Sequence, residues 1–208
     1  MENRPIPTPA VQRLSLYLRR LEELHQENVT NVASKELAST LHVTAAQVRK
    51  DLAYFGQFGK TGVGYRVDPL ITELKHILGT DRTWEVVLIG AGDLGRALLR
   101  YRGFRSRGFQ IVGAFDISRT KVGHRLGEVE VKHMDQLAGV LASHDVKLAI
   151  IATPIEAAQH VADLLCRAGV KGILNFAPTT LQTPSGIAVG LVDLAATLEQ
   201  LSFQVSAS

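Results

Sequence analysis

The stretch VVLIGAGDLG, residues 86–95, decides the fold. Val86, Val87, Leu88 and Ile89 form an unbroken apolar run, the pattern of a strand buried on both faces. The run passes directly into G-x-G-x-x-G, and a helix is expected from Asp93 to about residue 102. Alone the glycine pattern is weak, but a strand before it and a helix after it give it a physical meaning. Gly90 permits a tight turn, Gly92 lets the backbone approach a pyrophosphate, and Gly95 lets helix and strand pack closely. The helix start offers free N–H groups and a positive dipole end to phosphates. Gly90, Ala91, Gly92, Asp93, Leu94 and Gly95 are therefore the expected dinucleotide cradle. FQIVGAFD (109–116) reads as the next strand, closing a βαβ unit of 32 residues from Glu85 to Asp116. Asp116 stands 21 residues after Gly95. A carboxylate there bonds an adenosine ribose 2′-hydroxyl and repels a 2′-phosphate, which favours NAD(H) over NADP. Arg119 and Lys121, just downstream, pull slightly the other way.

The same rhythm continues to the C-terminus. A hairpin-like region over 122–131 leads to a helix at 135–142. LAIIAT (148–153) is a strand, and Pro154 opens a helix to about 168. GILNF (172–176) and a short segment near 187–191 are strands, and Asp193 caps a last helix to about 203. Strands alternating with helices imply an α/β architecture, a Rossmann-like parallel sheet covered on both faces. Loops after its strands border one crevice, so Thr153, Pro154, Asn175, Phe176 and Ala177 are candidate cofactor contacts. Each reads equally well as a strand-end turn.

Before residue 80 the pattern is different. MENRPIPTPA carries three prolines and reads as a loose arm. Leu14, Tyr17, Leu18, Leu21 and Leu24 keep helical spacing within a helix from about 9 to 26. Ser34 is a plausible N-cap of a second helix, His42 and Val43 make a tight turn, and Thr44 caps a third helix through Phe55. Two helices joined by so short a turn form a helix-turn-helix pattern. With Val48, Leu52 and Phe55 turned inward, the outer arc holds Ala46, Gln47, Arg49, Lys50, Ala53 and Tyr54. Gln and Arg can pair with purine edges in the major groove, while Lys and Tyr suit phosphates. GKTGVGYRV (59–67) then reads as a glycine-rich β wing, with Lys60 and Arg66, and Thr44 at the start of the third helix, as further DNA contacts. Asp68 caps, and Pro69 starts, a helix that Gly79 ends. Residues 79–83 are the expected linker. Such a polar helix face also reads as a merely solvated one. From Val43 to Val67 there are four Lys/Arg and one Asp. One copy neutralises few phosphates, so useful affinity calls for a dimer on two half-sites.

Composition narrows the function. The chain has 208 residues, 46% apolar and 21% charged, with net charge +3, which is ordinary globular usage. The longest uncharged stretch, Gly172 to Val192, is broken by threonines and prolines and makes no membrane span. No apolar h-region follows a basic start, so no secretion signal is expected. Cys166 is the only cysteine, which suits a reducing cytoplasm; set beside Leu164 and Leu165 it reads as core. The seven histidines show no zinc spacing, and no metal is expected. No acid/base constellation accompanies the glycine motif, and too few residues remain for a substrate domain, so a hydride-transfer enzyme is not expected. Arg96, Arg100, Arg102, Arg105 and Arg107 form a basic run that reads as a solvated face or a contact for acidic groups of a partner subunit.

Taken together, QVRKDLAYFGQFGKTGVGY (47–65), GAGDLG (90–95), FD (115–116), GILNFAP (172–178) and VDL before the last helix resemble the Rex family of bacterial redox-sensing repressors. The resemblance covers nearly the whole chain. It implies a winged-helix domain at 1–80, a Rossmann-like NAD(H)-binding domain at 81–192, and a C-terminal helix at 193–208 exchanged within a homodimer. It further implies binding to double-stranded operator DNA of two-fold symmetry, with release by NADH, in the cytoplasm. Carried over residue by residue, Arg19, Tyr101 and Asp193 match positions that link nicotinamide state to the winged-helix arrangement. Family members often carry arginine where this chain has Thr61, so a phosphate contact of the wing is expected to be missing. The rivals are an NAD-dependent oxidoreductase with an accessory winged helix, a regulator of coenzyme A or another nucleotide, and a partner protein using its winged helix for protein contacts.

Overall fold

Residues 6–60 and 62–207 are described by the computed structural model. Chain contacts divide it into two units, Met1–Arg82 and Thr83–Ser208. The first half of the expected arm and the Thr61 position lie outside the described residues.

In the first unit, helix α1 (Thr8–Gln26) buries Leu14, Tyr17, Leu18, Leu21 and Leu24 along one stripe. Strand β1 (Asn31–Val32) precedes α2 (Ser34–Ser39) and α3 (Ala45–Ala53). Ser34 is not the cap of α2: Ala33 holds that place, and the Ser34 hydroxyl instead accepts a hydrogen bond from the Arg49 guanidinium at 2.9 Å. His42 takes the left-handed conformation, φ 52°, that turns the chain between these helices. Thr44 caps α3 as expected, its Oγ1 accepting from the Gln47 N–H at 3.1 Å. The wing consists of β2 (Gly59–Lys60) and β3 (Gly64–Arg66). A third, unexpected strand joins it, because β1 pairs antiparallel with β3, Val32 opposite Tyr65. Two residues are too few to show an alternating pattern in sequence. Gly64 sits at φ +88°, with Val32 carbonyl oxygen where a Cβ would be. Helix α4 (Val67–Ile77) is capped by Arg66, and Asp68 lies inside its first turn rather than at its cap. Gly79, at φ 68°, ends it: the Thr80 N–H reaches back to the Lys75 carbonyl at 2.8 Å, a left-handed helix stop. One core joins α1, α2, α3, α4 and the wing through Leu14, Leu21, Leu37, Val48, Leu52, Tyr65 and Leu70.

The second unit runs β4 (Trp84–Ile89), α5 (Asp93–Arg100), β5 (Phe109–Asp116), β6 (Arg125–Leu126), β7 (Val129–His133), α6 (Leu137–Ser143), β8 (Leu148–Ile151), α7 (Ile155–Arg167), β9 (Gly172–Asn175), β10 (Ala188–Leu191) and α8 (Leu194–Ser206). Sheet order is β10-β9-β8-β4-β5-β7-β6, parallel except for β6, which pairs antiparallel with β7. The order reverses between β4 and β8, so the carboxyl ends of β4, β5 and β8 flank the crevice where ligands bind. One face carries Val87, Ile89, Phe115, Ile151 and Ile173 beneath α6 and α7. On the other, Val86, Leu88 and Ile150 meet Leu98 and Leu99 of α5. The expected cover on both faces is incomplete there. Toward β9 and β10 the sheet leaves an apolar hollow of about 380 Å³ bordered by Phe104, Ile111, Leu148, Leu174 and Val189. A single helix is too narrow to span five strands. Helix α8 buries none of its residues, and Leu194, Leu198, Leu201, Phe203 and Val205 are all exposed.

Candidate nucleotide cradle and nucleic-acid interface

The glycine turn is built for close approach. Gly90 takes φ +101°, and a Cβ there would strike the Ala152 carbonyl oxygen. A Cβ on Gly95 would collide with the Gly90 carbonyl oxygen, so only glycine lets α5 lie this near β4. Open space surrounds Gly92, the N-cap of α5, whose first turn has no capping side chain. Its N–H groups stay available to an anion. The Asp93 carboxylate in that turn is paired with Arg96, which offsets its repulsion of a phosphate. A cavity of about 1100 Å³ opens beside the turn, walled by Gly90, Gly92, Asp93, Leu94, Asp116, Thr153 and Pro154 among others. The Thr153 hydroxyl is enclosed and has no hydrogen-bond partner.

Asp116 ends β5 with 7% of its surface exposed. Its Oδ2 accepts from the Ala91 N–H at 2.8 Å and Lys121 Nζ at 2.9 Å, and its Oδ1 from the Ser118 N–H at 2.8 Å. Burial pushes the carboxyl up, but the Ser118 N–H, Lys121 and the Ala91 N–H outweigh it and hold it below the usual range. A carboxylate has about four acceptor sites, so one remains for a ribose hydroxyl. Lys121 and His160, on the same wall, were not among the candidate contacts; a cation five residues past the strand-end carboxylate was the available signal.

Asn175, Phe176 and Ala177 lie at the end of β9, outside the lining of this cavity. The Asn175 amide donates to the Ala177 and Thr179 carbonyls at 3.0 and 2.9 Å and accepts from the Ala177 N–H at 3.0 Å. It braces the loop that leaves β9. Phe176 packs with the α5 side of the sheet, and Ala177 is core.

In the first unit, Arg49, Lys50, Lys60 and Arg66 are exposed, and Tyr54 is half-buried. A groove of about 610 Å³ lies between α3 and the wing, lined by Arg49, Ala53, Gly59 and Lys60 among others. Gln47 is not free as expected. Its Nε2 donates to Asp51 Oδ1 at 2.7 Å. Asp51 itself is wholly buried and also takes Arg13 and Tyr17 of α1. The inner face of Val48, Leu52 and Phe55 does not include it. Its place between Val48 and Leu52, four residues from Gln47, was the signal. Arg19 is exposed on α1. Tyr101 follows α5, exposed, its ring edge-on to Phe104 at 5.1 Å. Asp193 caps α8, Oδ1 accepting from the Ala196 N–H at 2.9 Å.

Residues 81–179 match the model of a "CoA binding domain" family, and residues 5–53 that of "Putative DNA-binding protein N-terminus". The chain is 50% identical over 99% of its length, and 99% of the relative's, to the redox-sensing transcriptional repressor Rex of Carboxydothermus hydrogenoformans. It is 44% identical to that of Thermosipho africanus, over 96% of each chain. Its fold is similar to RSP in complex with β-NAD+ and operator DNA, TM-score 0.93 at 36% identity, covering 99% of this chain and 94% of that one. The RSP complex with β-NADH gives 0.88 at 35% identity, over 99% and 96%.

Proposed function

The chain belongs to the Rex family of redox-sensing transcriptional repressors, and from that premise we propose how its own residues sense and act. It is a DNA-binding, NADH-responsive repressor and not an enzyme. The observation that carries this is the co-occurrence, along one chain, of a winged helix and a strand-end carboxylate facing a glycine cradle. Gly90 to Gly95 hold the pyrophosphate, Asp116 the adenosine ribose, and Thr153 and Pro154 line the approach. Gln47, Arg49, Lys50 and Tyr54 read and clamp the duplex from α3, which Thr44 caps, while Lys60 and Arg66 add wing contacts.

When bound, NAD+ brings a positive charge on its nicotinamide ring that NADH lacks. A ligand shifts an equilibrium only by its differential affinity for two states. The carboxylate of Asp193, with Arg19 and Tyr101, is the proposed sensor of that charge. Its pairing sets the spacing of two recognition helices in a homodimer, and misplaced helices cannot engage both half-sites. The division into a winged helix at 1–80, a nucleotide domain at 81–192 and an exchanged helix at 193–208 follows this reading. The apolar face of α8 and the open hollow over β9 and β10 are the surfaces a second copy covers. No helix among the described residues is long and apolar enough to cross a membrane, in keeping with action on DNA in the cytoplasm.

The test is binding to a palindromic duplex selected from random DNA, with no ligand, NAD+ or NADH. Release by NADH alone supports the reading; binding blind to both nucleotides breaks the link between cradle and winged helix. The coenzyme A family match favours one rival ligand. Its ribose phosphate would meet the Asp116 carboxylate, and competition against NADH fluorescence separates the two.

A further inference from the structure

Asp51 is a buried charge that phosphate or base contact does not explain. Its side chain has no exposed surface. Oδ2 accepts from Arg13 Nε at 2.6 Å and Tyr17 Oη at 2.7 Å; Oδ1 accepts from Arg13 at 2.8 Å and Gln47 Nε2 at 2.7 Å. All four acceptor sites of the carboxylate are therefore used. Three of the four hydrogen bonds come from α1 and one from the preceding turn of α3, so the carboxylate pins the reading helix to its support.

Burial pushes the Asp51 carboxyl up, but the hydrogen bonds of Arg13, Tyr17 and Gln47 hold it below its ordinary value. It is ionised at neutral pH and can only accept. The Gln47 amide oxygen cannot face it, so the amide has one allowed orientation, nitrogen inward. Its oxygen and its second N–H are left for the outer arc. That acceptor–donor pair matches the N6 and N7 edge of adenine and mismatches the two acceptors of guanine.

We propose that Asp51 is a specificity-positioning residue: by holding one N–H of Gln47 it fixes the amide that reads adenine in each operator half-site. The inference rests on α3 being the DNA reader.

The experiment uses the full chain, a duplex that the unaltered protein selects from random-sequence DNA, and every single-base-pair variant of that duplex. Adenine at one position per half-site should be preferred on the order of tenfold or more, and Gln47→Ala should erase that preference. In Asp51→Asn the new amide can donate as well as accept, so Gln47 can flip. The same preference should fall to about twofold or less while the other positions keep theirs. Tyr17→Phe removes a different hydrogen bond to the carboxylate; it should lower the melting temperature and keep the adenine preference. A merely structural Asp51 would weaken all positions alike, and that result, or an unchanged profile in Asp51→Asn, overturns the inference. Should Asp51→Asn not fold, NMR of the unaltered protein decides. One Gln47 side-chain N–H exchanging slowly with water supports the lock, and two fast ones refute it. If the protein selects no duplex, the DNA-reading role falls first and this inference with it; if it selects one, only the lock is at stake.

Discussion

Asp51 and Asp116 are both enclosed carboxylates, used in opposite ways. Asp51 spends all its acceptor sites on Arg13, Tyr17 and Gln47, whereas Asp116 spends three and keeps one. Because the folded Asp51 carboxyl lies below its ordinary value of 3.8, its stabilisation is complete above that value and is lost as pH falls through the lower, folded one. The stability gap between the unaltered chain and Asp51→Asn, measured by chemical unfolding, should be widest near neutral pH and narrow below about pH 4. A gap that stays constant would mean the carboxyl is not held low. At Gly95 the constraint is steric. A Cβ meets the Gly90 carbonyl, so Gly95→Ala must push α5 from β4. Titration of NADH fluorescence should show at least about tenfold weaker binding, with salt-sensitive DNA binding retained; undiminished NADH affinity would place the pyrophosphate elsewhere.

Among the elements, α3 and α8 each depend on a side-chain cap, and only one of the caps is also a proposed sensor. Thr44 caps α3 through the Gln47 N–H. Asp193 caps α8 through the Ala196 N–H, so removing it mixes two effects. Asp193→Ala should cost roughly 1 kcal/mol of stability by leaving that N–H unpaired. Asn is as good a cap as Asp, so Asp193→Asn removes the charge and keeps the helix. The expected result for Asp193→Asn is a normal melting curve, normal DNA binding and loss of NADH-driven release. Release at the usual NADH concentration would remove Asp193 from the sensing step.

For the whole molecule, charge sets how steeply DNA binding falls with salt. Four Lys/Arg between Val43 and Val67 would give the proposed dimer eight cations for phosphate. The slope of log affinity against log salt should then approach, and not exceed, about −7. A slope shallower than about −4 is the signature of one copy per site. The proposed dimer would cover the exposed Leu194, Leu198, Leu201, Phe203 and Val205 of α8 and the sheet face left open over β9 and β10. Neither surface is what a lone chain leaves in water.

What the sequence determined by itself was whatever rests on local chemistry. The glycine turn with its strand and helix, Asp116 at the strand end, Thr44 at the start of the reading helix and Asp193 at the start of the last one all depend on residues within a few positions of each other. Backbone conformation and capping are short-range, so they are written in order along the chain. Tertiary structure alone decided where partners come from distant positions. It paired β1 with the wing across more than thirty residues. It also brought Arg13 and Tyr17 of α1 onto Asp51, the same carboxylate that holds the Gln47 amide. A buried carboxylate is satisfied by whatever donors the packing of helices delivers, and that packing has no local signature.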